Sequence, residues 1–172
     1  MTRAIPMDEK GNIIYPGFKR PKEWEIGYFN LIEENISMGE ENIIKNYVEI
    51  RKGTKIGSRN LIDSRVSFSG GGYCIVGDDC ILRFGSIIAR NVRLFDKVFL
   101  APHVKFIYIP FTTKPGIPKV TTIERGVRIG MGSVIGDGVR IIQETIIGAL
   151  SFVRKSIDEP GIYGGNPLRK LK

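Results

Sequence analysis

The chain holds a single imidazole, His103, in the run Ala101-Pro102-His103-Val104, and two thiols, Cys74 and Cys80. One histidine excludes chemistry that needs a histidine cluster, such as a tri-His zinc hydratase, and no metal is expected. Two cysteines are too few for a disulfide framework or a structural zinc site, and they point to a reducing cytoplasm. Alone, His103 can serve as a general base, provided that it faces a pocket. Asp79 and Asp96 are the carboxylates placed to orient it; the plainer reading is a surface histidine at a turn. The second signal is cationic. Arg154, Lys155, Arg169, Lys170 and Lys172 gather near the C-terminus, a set suited to a ligand carrying several phosphates. A solvated basic tail is the alternative.

The full chain of 172 residues carries 26 Lys+Arg against 18 Asp+Glu, a formal charge of +8. The remaining cations are scattered and not interleaved with aromatics, which argues against nucleic-acid binding. The length suits one domain, and 42 % apolar residues can form a sizeable core. No apolar run approaches the ~20 residues of a membrane span, and charge begins early, so neither membrane insertion nor a signal peptide is expected.

The elements that position these groups follow from a repeat. A large apolar residue recurs every six positions at Ile32, Met38, Ile44, Ile50, Ile56, Ile62 and Phe68. It resumes at Val76, Leu82, Ile88, Leu94, Leu100 and Phe106, and again at Ile123, Ile129, Ile135, Ile141, Ile147 and Val153. At a 42 % apolar background the chance of this column is on the order of 10⁻⁷. A second column four residues on is small or β-branched, as at Val48, Thr54, Cys80, Val104, Ser133 and Ser151. Glycine often follows the aliphatic, as at Gly57, Gly77, Gly130, Gly136 and Gly148. Six is a multiple of the strand period and not of the helical one, so the large residues share one face of extended segments. Glycine, Asn and Asp between them allow sharp corners. A chain that turns once per hexad while burying one column winds into a solenoid: three hexads per coil, about six coils, ~30 Å long.

The period fails twice, at Phe68–Cys74 around Gly70-Gly71-Gly72 and at Ile107–Thr122. Counted in hexads, both excursions leave the same edge, two coils apart, and are placed to flank one pocket. The longer one carries Pro110, Pro115 and Pro118, which stiffen it, together with the apolar Tyr108, Ile109 and Phe111; it has no His, Asp or Glu. Residues 1–30 precede the repeat and are expected to form an arm that caps the first coil, with the repeat over 31–158 and a basic tail over 159–172.

The pattern, and above all the run from Ile147 to Ile157 followed by Gly164-Gly165-Asn166-Pro167-Leu168-Arg169-Lys170, resembles the hexapeptide-repeat acyltransferases, closest to those acting on sugars and nucleotide-linked amino sugars. The resemblance implies an all-β, left-handed parallel β-helix, an acyltransferase using acetyl-CoA as co-substrate, and a homotrimer with active sites between subunits and the long loop reaching a neighbour. Met131, Ala149 and Arg154 would border the pantetheine arm and Arg169 would meet the adenosine phosphates; charge adds Lys155. Many members keep a catalytic His in or beside the loop, and the galactoside branch often has Asn at the position of His103. His103 is therefore the candidate base, with backbone N–H groups at the glycine corners as oxyanion donors. So thin a site favours a small-molecule sugar acceptor attacking through an amine, which can react without a strong base, over a hydroxyl. A non-catalytic β-helix scaffold is the alternative.

Overall fold

The computed structural model describes residues 7–69, 73–107 and 119–172. Among these there is no helix; 23 short strands form three sheets. We call sheet I the eight strands from Ile13–Ile14 to Phe152–Val153, sheet II the six from Ser37–Met38 to Arg140–Ile141, and sheet III the nine from Trp24–Ile26 to Arg169–Lys170. The chain visits them in the order I, II, III and returns to I one coil higher. Every pairing between named strands is parallel except the last, between Ile162–Gly164 and Arg169–Lys170. This is the parallel β-helix expected from the repeat.

Register accounts for both excursions. Partners lie 18 residues apart in a regular coil, as Leu31 with Glu49. They lie 20 apart across the first excursion, Ser67 with Ile87, and 29 apart across the second, Lys105 with Val134. Both excursions leave sheet I towards sheet II, so they do share an edge. Residues 70–72 and 108–118, with the three loop prolines, lie outside the described residues. The coil number is about eight rather than six, because segments outside the counted hexads also coil. Ile13–Ile14 pairs beneath Leu31–Ile32, Trp24–Ile26 beneath Asn42–Ile44, and Ile162–Gly164 extends sheet III past Ile146–Ile147.

The predicted column is the core. All of it is buried except Met38, which is half-buried because sheet II begins there with no strand beneath. The second column holds small residues because they pack inside the corners. Where it holds Asn, the buried amide links coils: Asn42 Oδ1 accepts the N–H of Asn60 at 2.9 Å, and Asn60 Oδ1 that of Cys80 at 2.8 Å. Burial pushes both thiols up to about 11, which leaves them protonated and inert.

The glycines after the aliphatic do something other than turn the corner. The left-handed conformation falls two residues later, as at Arg59 and Asp79 (both φ 57°), Gly132 (φ 68°) and Gly138 (φ 69°). Gly57, Gly77 and Gly130 are needed for close approach instead. A Cβ on Gly57 would collide with Asp78 Oδ1, and one on Gly77 with Asp96 Oδ1, side chains that reach down from the coil above.

Candidate active site

His103 occupies the corner between sheets III and I, with φ 61°. Its N–H donates to the carbonyl of Phe84 one coil below at 2.9 Å, and the N–H of Gly132 one coil above donates to Pro102 at 3.0 Å. The side chain is exposed. Its ring lies over Gly85, where a Cβ would stand 2.7 Å from Nδ1, and meets the Phe84 ring edge to face at 5.4 Å. Neither proposed orienter is near. Asp79 and Asp96 stand on the II–III edge, across the whole width of sheet III. Asp79 accepts from Arg59 Nε at 2.8 Å, and that hydrogen bond holds its carboxyl below the usual range. Asp96 Oδ1 accepts the N–H of Asp78 at 3.0 Å. Asp79 follows Val76 and Asp96 follows Leu94, both in sheet II, whereas His103 follows Leu100 in sheet III, so the two carboxylates are one hexad out of phase with the imidazole and turn a different corner.

Met131 and Ala149 follow on the same edge as His103, one and two coils higher, and the N–H of Leu150 donates to Met131 at 2.8 Å. Their own N–H groups differ from those lowest down. On the two lowest of these coils a polar side chain from the next coil caps the equivalent amide: Asn46 Oδ1 accepts from Tyr28 at 2.8 Å and Ser64 Oγ from Asn46 at 3.2 Å. Higher up, the Ser64 amide donates to Asp63 Oδ1 at 2.8 Å, and the Phe84 amide, with Pro102 above it, has no partner among the described residues. Above Met131 stands Ala149, which offers no acceptor. Among the described residues neither the Met131 nor the Ala149 N–H makes a hydrogen bond, and both residues are exposed. The glycine amides expected as oxyanion donors are committed: those of Gly130, Gly132 and Gly148 donate to Ile147, Pro102 and Tyr163 at 2.7, 3.0 and 2.7 Å. Above His103 the open donors are Met131 and Ala149 instead. The same column holds Asn46 and Ser64 low on the prism and the non-accepting Phe84, Pro102, Met131 and Ala149 higher up, a change the sequence already carried.

Arg154 and Lys155 follow Phe152–Val153 at the far edge of sheet I. With Phe152, Tyr163, Leu168 and Lys170 they help line a cleft of about 640 Å³ beneath the C-terminal hairpin. Arg169 sits on the hairpin strand next to Lys170 but does not line this cleft; Lys170 does, its Nζ 3.0 Å from Glu159 Oε2. That hydrogen bond raises the Lys170 ammonium above its ordinary value. Val134 and Phe152, outward on sheet I, lie between the amide edge and the cations. A second cleft, about 550 Å³, opens between the roots of the two excursions, against Ser69, Ile87, Ala89, Phe106 and Ile107.

The fold defines a class of architecture, the parallel β-helix, and known proteins share it. No family model matches the chain. It is 27 % identical over 135 residues to an acyl-[acyl-carrier-protein]–UDP-N-acetylglucosamine O-acyltransferase of Agrobacterium fabrum, covering 78 % of this chain and 41 % of that protein. It is 25 % identical over 159 residues to the enzyme of that name from Sinorhizobium fredii, covering 92 % and 50 %. The chain thus spans half or less of the curated relatives it matches. Among solved structures, a UDP-N-acetylglucosamine O-acyltransferase of Moraxella catarrhalis superposes with a TM-score of 0.66 at 20 % identity, over 91 % of this chain and 73 % of that one. An N-acyltransferase of Bacillus cereus, in complex with dTDP and coenzyme A, superposes with a TM-score of 0.56 at 22 % identity, over 88 % and 77 %. The chain therefore resembles hexapeptide-repeat acyltransferases in sequence, and shares their fold.

Proposed function

We propose that the chain is an acyltransferase that moves an acyl group from a coenzyme A thioester to a sugar or nucleotide-linked sugar, with acetyl transfer to an amine as the specific reaction. The observation that carries this is the III–I edge, where His103 and the uncapped amides of Met131 and Ala149 stand on three successive coils. His103 takes the proton as the acceptor nitrogen or oxygen adds to the thioester carbonyl. The developing oxyanion meets the Met131 and Ala149 N–H groups, which need no reorganisation to receive it. Collapse breaks the carbon–sulfur bond, and the imidazolium returns its proton to the departing thiolate. Arg154 and Lys155 in the hairpin cleft, and Arg169 on the hairpin strand outside it, hold the phosphates of the donor. The curated relatives' names give an acyl carrier protein as the acyl source; this thioester presents a similar arm, so both donors belong in the assay.

Function between subunits needs a partner copy. In support, Ile43, Leu61, Ile81 and Phe99 lie in register on the outer face of sheet III, an apolar stripe that a second copy would cover. A homotrimer is the proposed assembly and the cytoplasm the proposed location; among the described residues no helix is long and apolar enough to cross a membrane. The scaffold reading draws on one observation, the lack of His, Asp or Glu in the long loop, residues 107–122. Thiol release from acetyl-CoA, longer acyl-CoA and acyl carrier protein, against amino-sugar nucleotides and simple sugars, decides between them. Turnover with any pair supports the enzyme. No turnover, and no thermal shift with millimolar acetyl-CoA, supports the scaffold.

A further inference from the structure

His103 has neither predicted carboxylate beside it, and among the described residues its imidazole makes no ion pair and no side-chain hydrogen bond. The coil below supplies the constraint instead. Leu82, Leu100 and Ile129 are in register, so His103 stands above Gly85 and below Gly132. A Cβ on Gly85 would lie 2.7 Å from Nδ1 and 2.8 Å from Cε1. That edge of the ring fills the space glycine leaves, and Nε2 lies farther off. The glycine is not there for its backbone. Phe29, Tyr47, Arg65, His103 and Leu150 hold the same corner on other coils with φ of 55, 57, 59, 61 and 56°, against 67° at Gly85. A corner that admits such side chains on five coils has glycine at 85 because the imidazole needs the room.

Phe84 is the wall of this seat. Its ring meets the imidazole at 5.4 Å between centroids with planes at 85°, an edge-to-face arrangement that aromatic pairs prefer. Its carbonyl accepts the His103 N–H at 2.9 Å, so one residue docks both the backbone and the ring. The Arg65 guanidinium, 5.8 Å from the Phe84 centroid, holds that ring from the coil below. Above, Gly132 places no side chain over the imidazole on the way to the Met131 amide. A base works only within hydrogen-bond reach of the proton it takes, and small displacements of a reacting group are costly. Whatever keeps the ring in place therefore sets the rate.

We infer that Gly85 and Phe84 are positioning residues that orient the His103 imidazole by packing where no carboxylate does, Gly85 by vacating the space the ring occupies and Phe84 by fixing its tilt. This rests on the acyl-transfer reading for what the ring does, but the seat can be measured alone. The chain has one histidine, so the two ring C–H signals in a ¹³C correlation spectrum of the full chain report on it directly. The variants are Gly85→Ala, Phe84→Leu and Phe84→Tyr, with Gly126→Ala as the control. Gly126 has φ 72° and a Cβ there meets nothing within 4 Å, so this variant carries the backbone cost of alanine at positive φ without touching a ring. Gly85→Ala and Phe84→Leu should move both imidazole signals, while Gly126→Ala and Phe84→Tyr leave them near the wild-type positions. Phe84→Leu should lower kcat about 2- to 12-fold, the usual worth of an edge-to-face pair, with the acyl-CoA Kd unchanged, and Phe84→Tyr should restore it. Neither Gly85→Ala nor Phe84→Leu should lower kcat further in a His103→Asn background, since both act through that ring. Imidazole signals unmoved in both variants, or an equal kcat loss in Gly126→Ala and Gly85→Ala, overturns the seat while leaving acyl transfer intact. Signals that move as expected, with no thiol release by wild type from any acyl donor, keep the seat and remove the acyl-transfer reading.

Discussion

Replacing Ala149 with Asn should strengthen the fold and disable the site at once. Asn46 shows how: its Oδ1 accepts the Tyr28 N–H at 2.8 Å, and Gly27 below it leaves room, since a Cβ there would collide with that oxygen. Ala149 has the same setting, with Gly130 beneath it and the left-handed Leu150 (φ 56°) after it, as Tyr47 (φ 57°) follows Asn46. An Asn at 149 therefore caps the Met131 N–H. One added hydrogen bond contributes about 0.5–1.5 kcal/mol, or roughly 1–6 °C in Tm for a chain of this size. Removing one oxyanion donor costs about 10²–10³ in kcat. Thermal unfolding and thiol-release kinetics on the same preparation read both effects. A raised Tm with unchanged kcat would show the cap formed and the amide irrelevant, refuting its role as an oxyanion donor.

Three further outcomes follow from the same geometry. His103→Asn, tolerated at φ 61°, should lower kcat about 10²-fold or more with the acyl-CoA Kd unchanged; an unchanged kcat would mean that the acceptor amine reacts unaided. Arg154→Ala with Lys155→Ala should raise the acyl-CoA Kd several-fold at low salt and much less at high salt, and a loss independent of salt would point to packing in the hairpin cleft instead. The thiols give a pH signature. Their folded values of about 11 lie above the ordinary 9.0, so the folded state holds these protons more tightly than the unfolded chain. Their stabilising contribution is full below about pH 9 and is lost as pH rises towards 11, about 2–3 kcal/mol per thiol. The Cys74→Val, Cys80→Val double variant, matched to a column already holding Val48 and Val92, should show a shallower fall in urea midpoint over that range; an identical slope would contradict the assignment.

Residue type and spacing made the solenoid legible, because every coil buries the same column and the registers of 18, 20 and 29 residues restate the hexad count with its two insertions. The outer coils were not legible. Ile13–Ile14 and Trp24–Ile26 join the sheets without a clean hexad, since end coils are covered on one side only. His103, Met131 and Ala149 could be named from sequence, and the structure puts them on one edge. What sequence missed is the difference between an amide that is capped and one that is not, which depends on the side chain 18 residues later and on a glycine that makes room for it. The carboxylate orienters failed for a related reason: Asp79 and Asp96 already serve a corner of their own.

In the proposed reaction the thioester sits on the III–I edge. The most direct measurement is an amide titration by two-dimensional NMR, adding acetyl-CoA to the ¹⁵N-labelled chain, with the sole imidazole, His103, as an internal marker. The amides of Met131 and Ala149 should shift together with those of Arg154 and Lys155, and His103 should respond, while Arg59 and Asp79 on the opposite edge stay still. Saturable shifts confined to other edges, with Met131 and Ala149 unmoved, would contradict it.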